Sequence, residues 1–197
     1  MKNFILASGS PRRIEMMKAH GYDPIVMPSD IDETLPLHCG MTETVAFLAL
    51  KKAQDVEARW LALPEAAEAE SAPIILAADT VVYKNEIMGK PVDKEDGLRM
   101  LKALRNDVHY VVTGVAMVEA GKQKTKVFYD ITKVFFTDYT DQELEEYLDT
   151  DEAYDKAGGY AIQGHFAKYI DHIEGDYHNV VGFPWDRIEK ELKYFEP

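Results

Sequence analysis

A chain of 197 residues, 46% of them hydrophobic, can build one sizeable core, and no Pro/Gly/Ser-rich linker divides it, so we predict a single domain over residues 1–197. The net charge of -13 excludes a general binder of nucleic acids or membrane surfaces, because no basic stripe would survive in so acidic a chain. Cys39 is the only cysteine, which excludes an intramolecular disulfide, and without a membrane span or signal peptide we expect a cytoplasmic protein.

The first predicted elements are a short strand and a helix, joined by a tight turn of small residues. Residues 4–7 form an apolar run of strand type, residues 8–10 form the turn, and Ser10 followed by proline predicts a helix start. A helix N-terminus normally favours acidic residues, yet this first turn holds Arg12 and Arg13. The arrangement suits a phosphate or carboxylate ligand, although two solvated surface arginines would leave the same pattern.

An acidic loop and a long amphipathic helix come next. Glu33 lies in the loop sequence DIDET, where Mg²⁺ binding is chemically reasonable but a solvated acidic loop is more common. Thr42 and Thr44 are both plausible caps of the helix MTETVAFLALKKAQDVEARW. Lys51 and Lys52 stand side by side on this helix, and we expect one of them to point toward the core side. The apolar spacing does not decide which one.

Asp79 lies inside the strongest predicted strand, PIILAADTVVY, whose continuous apolar character implies burial on both faces. An ionised carboxylate there is costly unless it faces a cation, a metal or a cleft. Asp79 is therefore a candidate general base or Mg²⁺ ligand, and a strand-ending aspartate bonded to nearby backbone is the alternative. Lys90 follows in the sequence GKP, where the flanking glycine and proline fix the backbone and hold the ammonium group near the same strand.

The rest of the chain alternates helices and strands before it becomes irregular. Asp93 predicts the cap of the helix DKEDGLRMLKAL, two β-branched runs predict long strands, and Thr140 and Glu143 have capping-box spacing. Residues 154–184, rich in glycine and aromatics, precede a final amphipathic helix. Such a stretch is usually functional, although a glycine-rich connection between core strands is the alternative. The six histidines show no metal-ligand spacing, so no metal ligand is assigned.

Six motifs, in this order, carry a resemblance to a known family: ASGSPRR, ADTVV, GKP, TGV, DKAGGYAIQG and NVVGFP. The chain resembles the Maf family of nucleoside triphosphate pyrophosphatases from about residue 4 to residue 192. The resemblance implies an α/β fold similar to inosine triphosphate pyrophosphatases, with a mixed twisted sheet flanked by helices and a cleft between two lobes. It also implies a homodimer that hydrolyses a nucleoside triphosphate to the monophosphate and pyrophosphate, with a divalent metal cation, Mg²⁺ or alternatively Mn²⁺.

The resemblance also assigns roles to individual residues. The catalytic acid falls on Asp79, and Lys52 and Lys90 are the catalytic lysines. The positions that handle the phosphates are Ser8, Arg12, Arg13, Glu33, Lys52 and Lys90. The expected reaction is attack of water on the α-phosphorus, with Asp79 orienting or deprotonating that water. The alternative function is a regulator of cell division, or septum formation inhibitor, that binds nucleotide without hydrolysing it.

Three positions are associated with base preference in the family, and here they hold Arg12, Thr80 and Gln163. This set resembles the branch that acts on dTTP and UTP, whereas the branch that favours 7-methyl-GTP has Trp at the first position and Gln at the second. Gln163 can donate and accept hydrogen bonds at once, which suits the edge of a uracil or thymine. Two residues depart from the usual pattern: Ala161 replaces a frequent glycine, and Trp185 replaces a small aliphatic residue.

Overall fold

A computed structural model describes residues 3–34 and 39–196. These residues contain a seven-stranded sheet. Six strands follow the order β2-β1-β3-β5-β6-β7, and the seventh, β4, pairs with β3. The strands are β1 (Phe4–Leu6), β2 (Ile25–Val26), β3 (Ile74–Lys84), β4 (Glu86–Met88), β5 (Val108–Glu119), β6 (Thr125–Phe136) and β7 (Ile170–Glu174). The helices are α1 (Pro11–Ala19), α2 (Met41–Leu61), α3 (Pro64–Glu68), α4 (Lys94–Leu104), α5 (Asp141–Leu148), α6 (Tyr177–Val181) and α7 (Trp185–Leu192).

The sheet is mixed, as predicted. Strand β1 pairs in parallel with β2 and with β3, while β4 pairs antiparallel with β3 and β7 pairs antiparallel with β6. The β6–β7 register shifts between Phe135 and Phe136. The mixed α/β class with helices beside the sheet is therefore confirmed. No helix within the described ranges is long and apolar enough to cross a membrane.

The chain divides into two compact units. Unit 1 contains Met1–Asp79, Thr113–Tyr129 and Gly182–Pro197, and unit 2 contains Thr80–Val112 and Asp130–Val181. Strands β3, β5 and β6 contribute residues to both units. The assignment of residues 1–197 to a single domain stays a prediction.

One core cluster of unit 1, beside α2, is rich in small side chains. Its buried residues include several alanines that line α2 and the strands: Ala7, Ala49, Ala53, Ala77, Ala116 and Ala120. Gly114 on β5 makes the closest approach, since a Cβ atom there would lie 2.3 Å from the Val45 carbonyl oxygen of α2. Only glycine permits a helix backbone to rest so near a strand. Trp185 is buried in the same unit and stacks on His20, with ring centroids 4.4 Å apart.

Unit 2 has a core of aromatic side chains. Phe136 lies at its centre and makes ring contacts with His109, Tyr139, Tyr160 and Phe166, with centroids 4.8 to 6.0 Å apart. Edge-to-face pairs of this kind add to the stabilisation that buried area provides. The cluster beside α2 in unit 1 is therefore rich in alanine, whereas the cluster around Phe136 in unit 2 is rich in aromatic rings.

Most of the predicted helix caps are confirmed, and those of α2 are wrong. Asp93 accepts a hydrogen bond from the Asp96 backbone N–H at 2.8 Å, and Thr140 and Glu143 form a reciprocal capping box. Helix α2 instead begins after Gly40, so neither predicted threonine is its cap. A Cβ at residue 40 would lie 2.4 Å from a carboxylate oxygen of Glu43, so a side chain there would require Glu43 to move.

Residues 154–184 contain more regular structure than predicted. Two 3₁₀ turns, Ala157–Gly159 and His165–Tyr169, lead into β7, and α6 follows before the final helix α7. Gly158 and Gly159 both have positive φ, 68° and 76°, a conformation that side-chain-bearing residues rarely adopt. The expected irregular stretch is therefore a series of short elements around tight glycine turns.

Candidate active site

The centre of the candidate site is an ion-pair cluster of Glu33, Lys52 and Asp79, the Lys52 cluster, in unit 1. The Lys52 ammonium nitrogen lies 2.6 Å from Oδ1 of Asp79 and 2.8 Å from Oε1 of Glu33. The side chains of Lys52 and Asp79 are 12% and 9% exposed, whereas Glu33 is 58% exposed. One cation therefore joins a buried carboxylate to a carboxylate that faces solvent.

Burial raises the pKa of Asp79 above the ordinary aspartate value. The charges of Lys52 and Arg13 oppose this shift, and the charge of Glu33 adds to it. A carboxylate with a raised pKa is a stronger base, so Asp79 can accept a proton from a water molecule more readily than an exposed aspartate can. The strand position explains the burial, because β3 carries apolar residues on both sides of this carboxylate.

The structure resolves which of the two adjacent lysines points inward. Lys52 reaches Asp79, while Lys51 donates to the backbone carbonyl of Asp32. Farther along α2, Arg59 donates to the Pro28 carbonyl at 2.7 Å. Helix α2 therefore holds the acidic loop (residues 28–34) along its length. Glu33 reaches the Lys52 cluster because the loop that carries it is bonded to this helix.

Arg13 joins three separate segments of unit 1. Its Nη1 donates to Oγ of Ser8 at 3.1 Å and to the Ala78 carbonyl at 2.8 Å, and its Nε donates to the Gly182 carbonyl at 2.9 Å. Burial lowers the pKa of Arg13 to about 10, so the group stays charged near neutral pH. The same side chain ties the turn after β1 to the residue preceding Asp79.

Arg12 differs from Arg13 in its contacts. It is half-buried, and it makes no hydrogen bond or ion pair with residues 3–34 or 39–196. Ser10 caps α1 by its backbone position, with no capping bond from its side chain, and the first turn holds no acidic residue. The beginning of α1 thus combines a positive helix end with a guanidinium that pairs with no carboxylate among the described residues, which favours an anionic ligand.

Gly114 positions helix α2 on the sheet, a role that no sequence pattern predicted. The motif TGV contributed to the family resemblance, but nothing in its letters indicated a contact with α2. The close packing of Gly114 on Val45 sets the distance between α2 and the sheet. Lys52 lies two helical turns beyond Val45 and Asp79 lies on β3, so this distance also governs the Lys52–Asp79 pair.

Three further residues that were predicted to act in the site belong to unit 2. Thr80 follows Asp79 on β3 and is half-buried, while Lys90 and Gln163 are exposed in loops. The loops of Lys90 and Gln163 are joined, because the Gly158 backbone N–H donates to the Gly89 carbonyl at 2.9 Å. The roles of these three residues stay predictions.

The carboxylates of the Lys52 cluster provide a limited donor set for a metal ion. In the part of the chain that the structure describes, no group of three or more His, Cys, Asp or Glu side chains could hold one. Mg²⁺ commonly binds through one or two carboxylates together with substrate phosphates and water. Asp79 and Glu33, both bonded to Lys52, fit a cation that arrives with phosphate oxygens rather than a fully protein-bound ion.

Comparisons with known proteins agree with this picture. The profile of the family described as Maf-like protein matches residues 3–195. A dTTP/UTP pyrophosphatase of Bacillus cytotoxicus (strain DSM 22905) is 42% identical over 197 residues, which cover 100% of this chain and 97% of that protein. A dTTP/UTP pyrophosphatase of Bacillus anthracis (strain CDC 684) is 41% identical over 196 residues, 99% of this chain and 96% of that protein. The Staphylococcus aureus Ham1 protein aligns with a TM-score of 0.50 and 17% identity, over 99% of this chain and 100% of that chain, a likeness of fold.

Proposed function

This chain belongs to the family of Maf-like proteins, and from that premise we propose that it is a nucleoside triphosphate pyrophosphatase that hydrolyses dTTP and UTP to the monophosphate and pyrophosphate. The observation that carries the proposal is the buried Lys52–Asp79 pair. A protein that only bound nucleotide would need the cations, but it would gain nothing from a buried carboxylate with a raised pKa.

Asp79 acts as the general base in the proposed reaction. Its carboxylate orients a water molecule, accepts a proton from it and directs it at the α-phosphorus. Lys52 holds Asp79 in place and keeps it ionised while the carboxylate is buried. As the bond to the β-phosphate oxygen breaks, pyrophosphate leaves with additional negative charge, which nearby cations stabilise.

The phosphate groups meet the beginning of α1 in this proposal. Arg12 contacts phosphate oxygens directly, and Arg13 fixes the turn that contains Ser8 while adding positive charge. Lys90, a residue of unit 2, is assigned to phosphate handling by the family resemblance alone. Such a small group of cations can attract a polyphosphate even though the chain carries a net charge of -13.

A divalent cation, Mg²⁺ or alternatively Mn²⁺, is part of the proposal. Asp79 and Glu33 would hold it together with the phosphate oxygens of the substrate. When bound, it neutralises charge on the triphosphate. Glu33 is suited to exchange Lys52 for such an ion, because its carboxylate is largely exposed.

Base preference is assigned to Arg12, Thr80 and Gln163. The amide of Gln163 offers one acceptor and two donors, which match the N–H donor and the carbonyl acceptors of thymine or uracil. Cytosine presents a reversed donor and acceptor pattern at the same edge. A Gln163 side chain held in one orientation would therefore favour dTTP and UTP over dCTP and CTP.

The test is pyrophosphate release from a panel of purified nucleoside triphosphates, with and without Mg²⁺ or Mn²⁺. We expect pyrophosphate from dTTP and UTP and no orthophosphate. In water labelled with ¹⁸O, attack at the α-phosphorus places the label in the monophosphate rather than in pyrophosphate. Nucleotide binding without release on any substrate would contradict the proposal and favour a regulator of cell division.

We also propose a homodimer in the cytoplasm with no nucleic-acid or membrane partner. The proposal rests on the family resemblance and on the acidic composition of the chain. Light scattering on the purified full-length protein gives the mass in solution. A monomer at all concentrations would contradict the dimer.

A further inference from the structure

His109 is a buried polar residue for which the proposed reaction has no use. It lies on β5, is 0% exposed, and its Nε2 is 2.6 Å from the hydroxyl of Tyr160. Tyr160 is itself buried, and both rings contact Phe136. Within the described residues, Nδ1 of His109 has no hydrogen-bond partner, so Tyr160 supplies the bond that compensates for burying this imidazole.

Tyr160 belongs to the segment that carries the proposed base-reading residue. This Gln163 segment, residues 157–164, packs Ala157, Tyr160 and Ile162 against the core of unit 2, and its glycines make the closest backbone contacts. The backbone N–H of Gly158 donates to the Gly89 carbonyl, and a Cβ at Gly158 would lie 2.8 Å from a methyl group of Val82. A backbone that turns through two left-handed glycines gains little rigidity from its own residues, so its anchors decide its position.

We infer that His109 is a positioning residue for base selection, because its bond to the Tyr160 hydroxyl fixes the Gln163 segment and so the orientation in which Gln163 meets the base. This inference rests on the proposed function. It goes beyond that function by naming a residue on a distant strand, 51 positions before Tyr160, that acts on specificity without touching the substrate.

The chemistry of the pair supports a positioning role. Burial lowers the pKa of His109 to about 3, so the ring stays neutral and a tyrosine hydroxyl can bond either of its tautomers. A phenylalanine at position 160 would fill nearly the same volume. The hydroxyl therefore adds one directional bond to the apolar packing that already surrounds the ring.

The experiment compares Tyr160→Phe with the control Tyr139→Phe. Tyr139 is a second buried tyrosine of the same core, and its hydroxyl donates to the Leu101 carbonyl at 2.6 Å. Each variant loses one buried hydrogen bond and keeps its ring. We measure kcat and KM for dTTP and dCTP well below the unfolding temperature, together with hydrogen exchange of the backbone amides over residues 157–164.

We expect Tyr160→Phe to lower the dTTP to dCTP ratio of kcat/KM by about tenfold, mainly through KM, and to speed exchange across the Gln163 segment. Tyr139→Phe should change neither. An unchanged ratio or unchanged exchange in Tyr160→Phe would overturn the inference while the wild-type enzyme still hydrolysed dTTP. If the wild type released no pyrophosphate from any triphosphate, the proposed function would fall, and the base-selection role with it.

A double variant distinguishes a specific loss of base discrimination from a general loss of stability. Tyr160→Phe leaves both nitrogens of His109 unpaired in the core, which alone can destabilise a protein. The double variant Tyr160→Phe/His109→Leu removes both polar partners, and its stability should lie closer to that of the wild type. We expect it to show the same loss of base discrimination. Full discrimination in a folded double variant would overturn the inference.

Discussion

Each unit of this protein buries an ionisable group, and the two units do so in different ways. In unit 1 the buried Asp79 is kept close to cations, chiefly Lys52, and it lies among small side chains that let a helix approach the sheet. In unit 2 the buried His109 is kept neutral by an aromatic core and bonded to a tyrosine. In the proposed function the first arrangement maintains the charge of a general base, and the second fixes the position of the Gln163 segment. Variants that remove the charge in one unit or the hydrogen bond in the other should therefore have different effects on activity and stability.

The largest effect should follow from removing the charge of unit 1. Asp79→Asn keeps the size of the side chain but cannot accept a proton from water, so we expect pyrophosphate release to fall by about 1,000-fold or more. The fold should persist, because the neutral amide avoids the cost of burying a carboxylate. A coupled pyrophosphate assay and circular dichroism measure the two properties. Turnover near the wild-type rate would contradict the role of Asp79.

A smaller loss should follow from removing the cation that partners it. Lys52→Met leaves Asp79 buried without its nearest counter-ion, so we expect about a 100-fold loss of kcat/KM and about 3 kcal/mol less stability. Lys51→Met is the matched control, one residue away on the same helix: it loses the bond to the Asp32 carbonyl and a contact with the Phe47 ring, while the Arg59 bond to the Pro28 carbonyl still holds the acidic loop. We expect it to keep activity within about threefold of the wild type. Equal losses in both variants would mean that general charge matters rather than this contact.

Glycines in the two units give a further contrast. A Cβ at Gly114 would meet backbone atoms of α2 at 2.3 to 2.8 Å, so Gly114→Ala must push the helix that carries Lys52 away from the sheet. We expect about a 10- to 100-fold loss of activity. Gly97→Ala in unit 2 is the control, because its Cβ would meet only the side chain of Leu148, which can rotate. Its activity should stay within about twofold of wild type.

At neutral pH the smallest effect is expected from His109, whose contribution to stability changes only as the pH falls. The folded-state pKa of His109 is depressed to about 3, so the unfolded chain binds its proton first. Its contribution to stability is present above about pH 6.5 and is lost as pH falls toward 3, by up to about 1.4 kcal/mol per pH unit. The neighbouring charges of Lys84 and Asp107 modify this shift. In urea unfolding at several pH values, the free energy of unfolding of His109→Leu should decrease less than that of the wild type as the pH falls.

The contribution of Asp79 to the free energy of unfolding should change with pH in the opposite direction. Its pKa is raised by folding, so the native state holds a proton that the unfolded state releases, and stability falls as pH rises through the window between the ordinary aspartate value and the raised one. Asp79→Asn should remove this slope, while His109→Leu leaves it in place. Parallel slopes in the two variants would contradict the distinction between the units.

Local sequence signals predicted the parts of the fold that depend on neighbouring residues. Asp93, Thr140 and Glu143 act as caps, as their spacing indicated, and Asp79 drew attention because a charge interrupts an apolar strand. The predicted caps of α2 were wrong because the helix begins at Met41, so Thr42 and Thr44 lie within its first turn.

The contacts that complete the site could not be predicted from local patterns. Lys51 and Lys52 differ by one step of about 100° around a helix, and only the position of α2 on the sheet decides which reaches Asp79. The Gly114 contact with Val45 joins residues far apart in the chain, as does the bond between His109 and Tyr160. Periodicity describes one element at a time, whereas these contacts depend on how elements meet.

The bond from Arg13 to the Gly182 carbonyl has a consequence for synthesis of the protein. The two residues are separated by 169 positions, so the ribosome makes the donor long before the acceptor. At about 5 to 20 residues per second, the delay is about ten seconds to half a minute. During that interval a nascent chain has its arginine but lacks one of the carbonyls that hold it. Complete anchoring of Arg13 is therefore a late event in translation, and a stalled chain that ends before Gly182 would carry an incompletely anchored guanidinium.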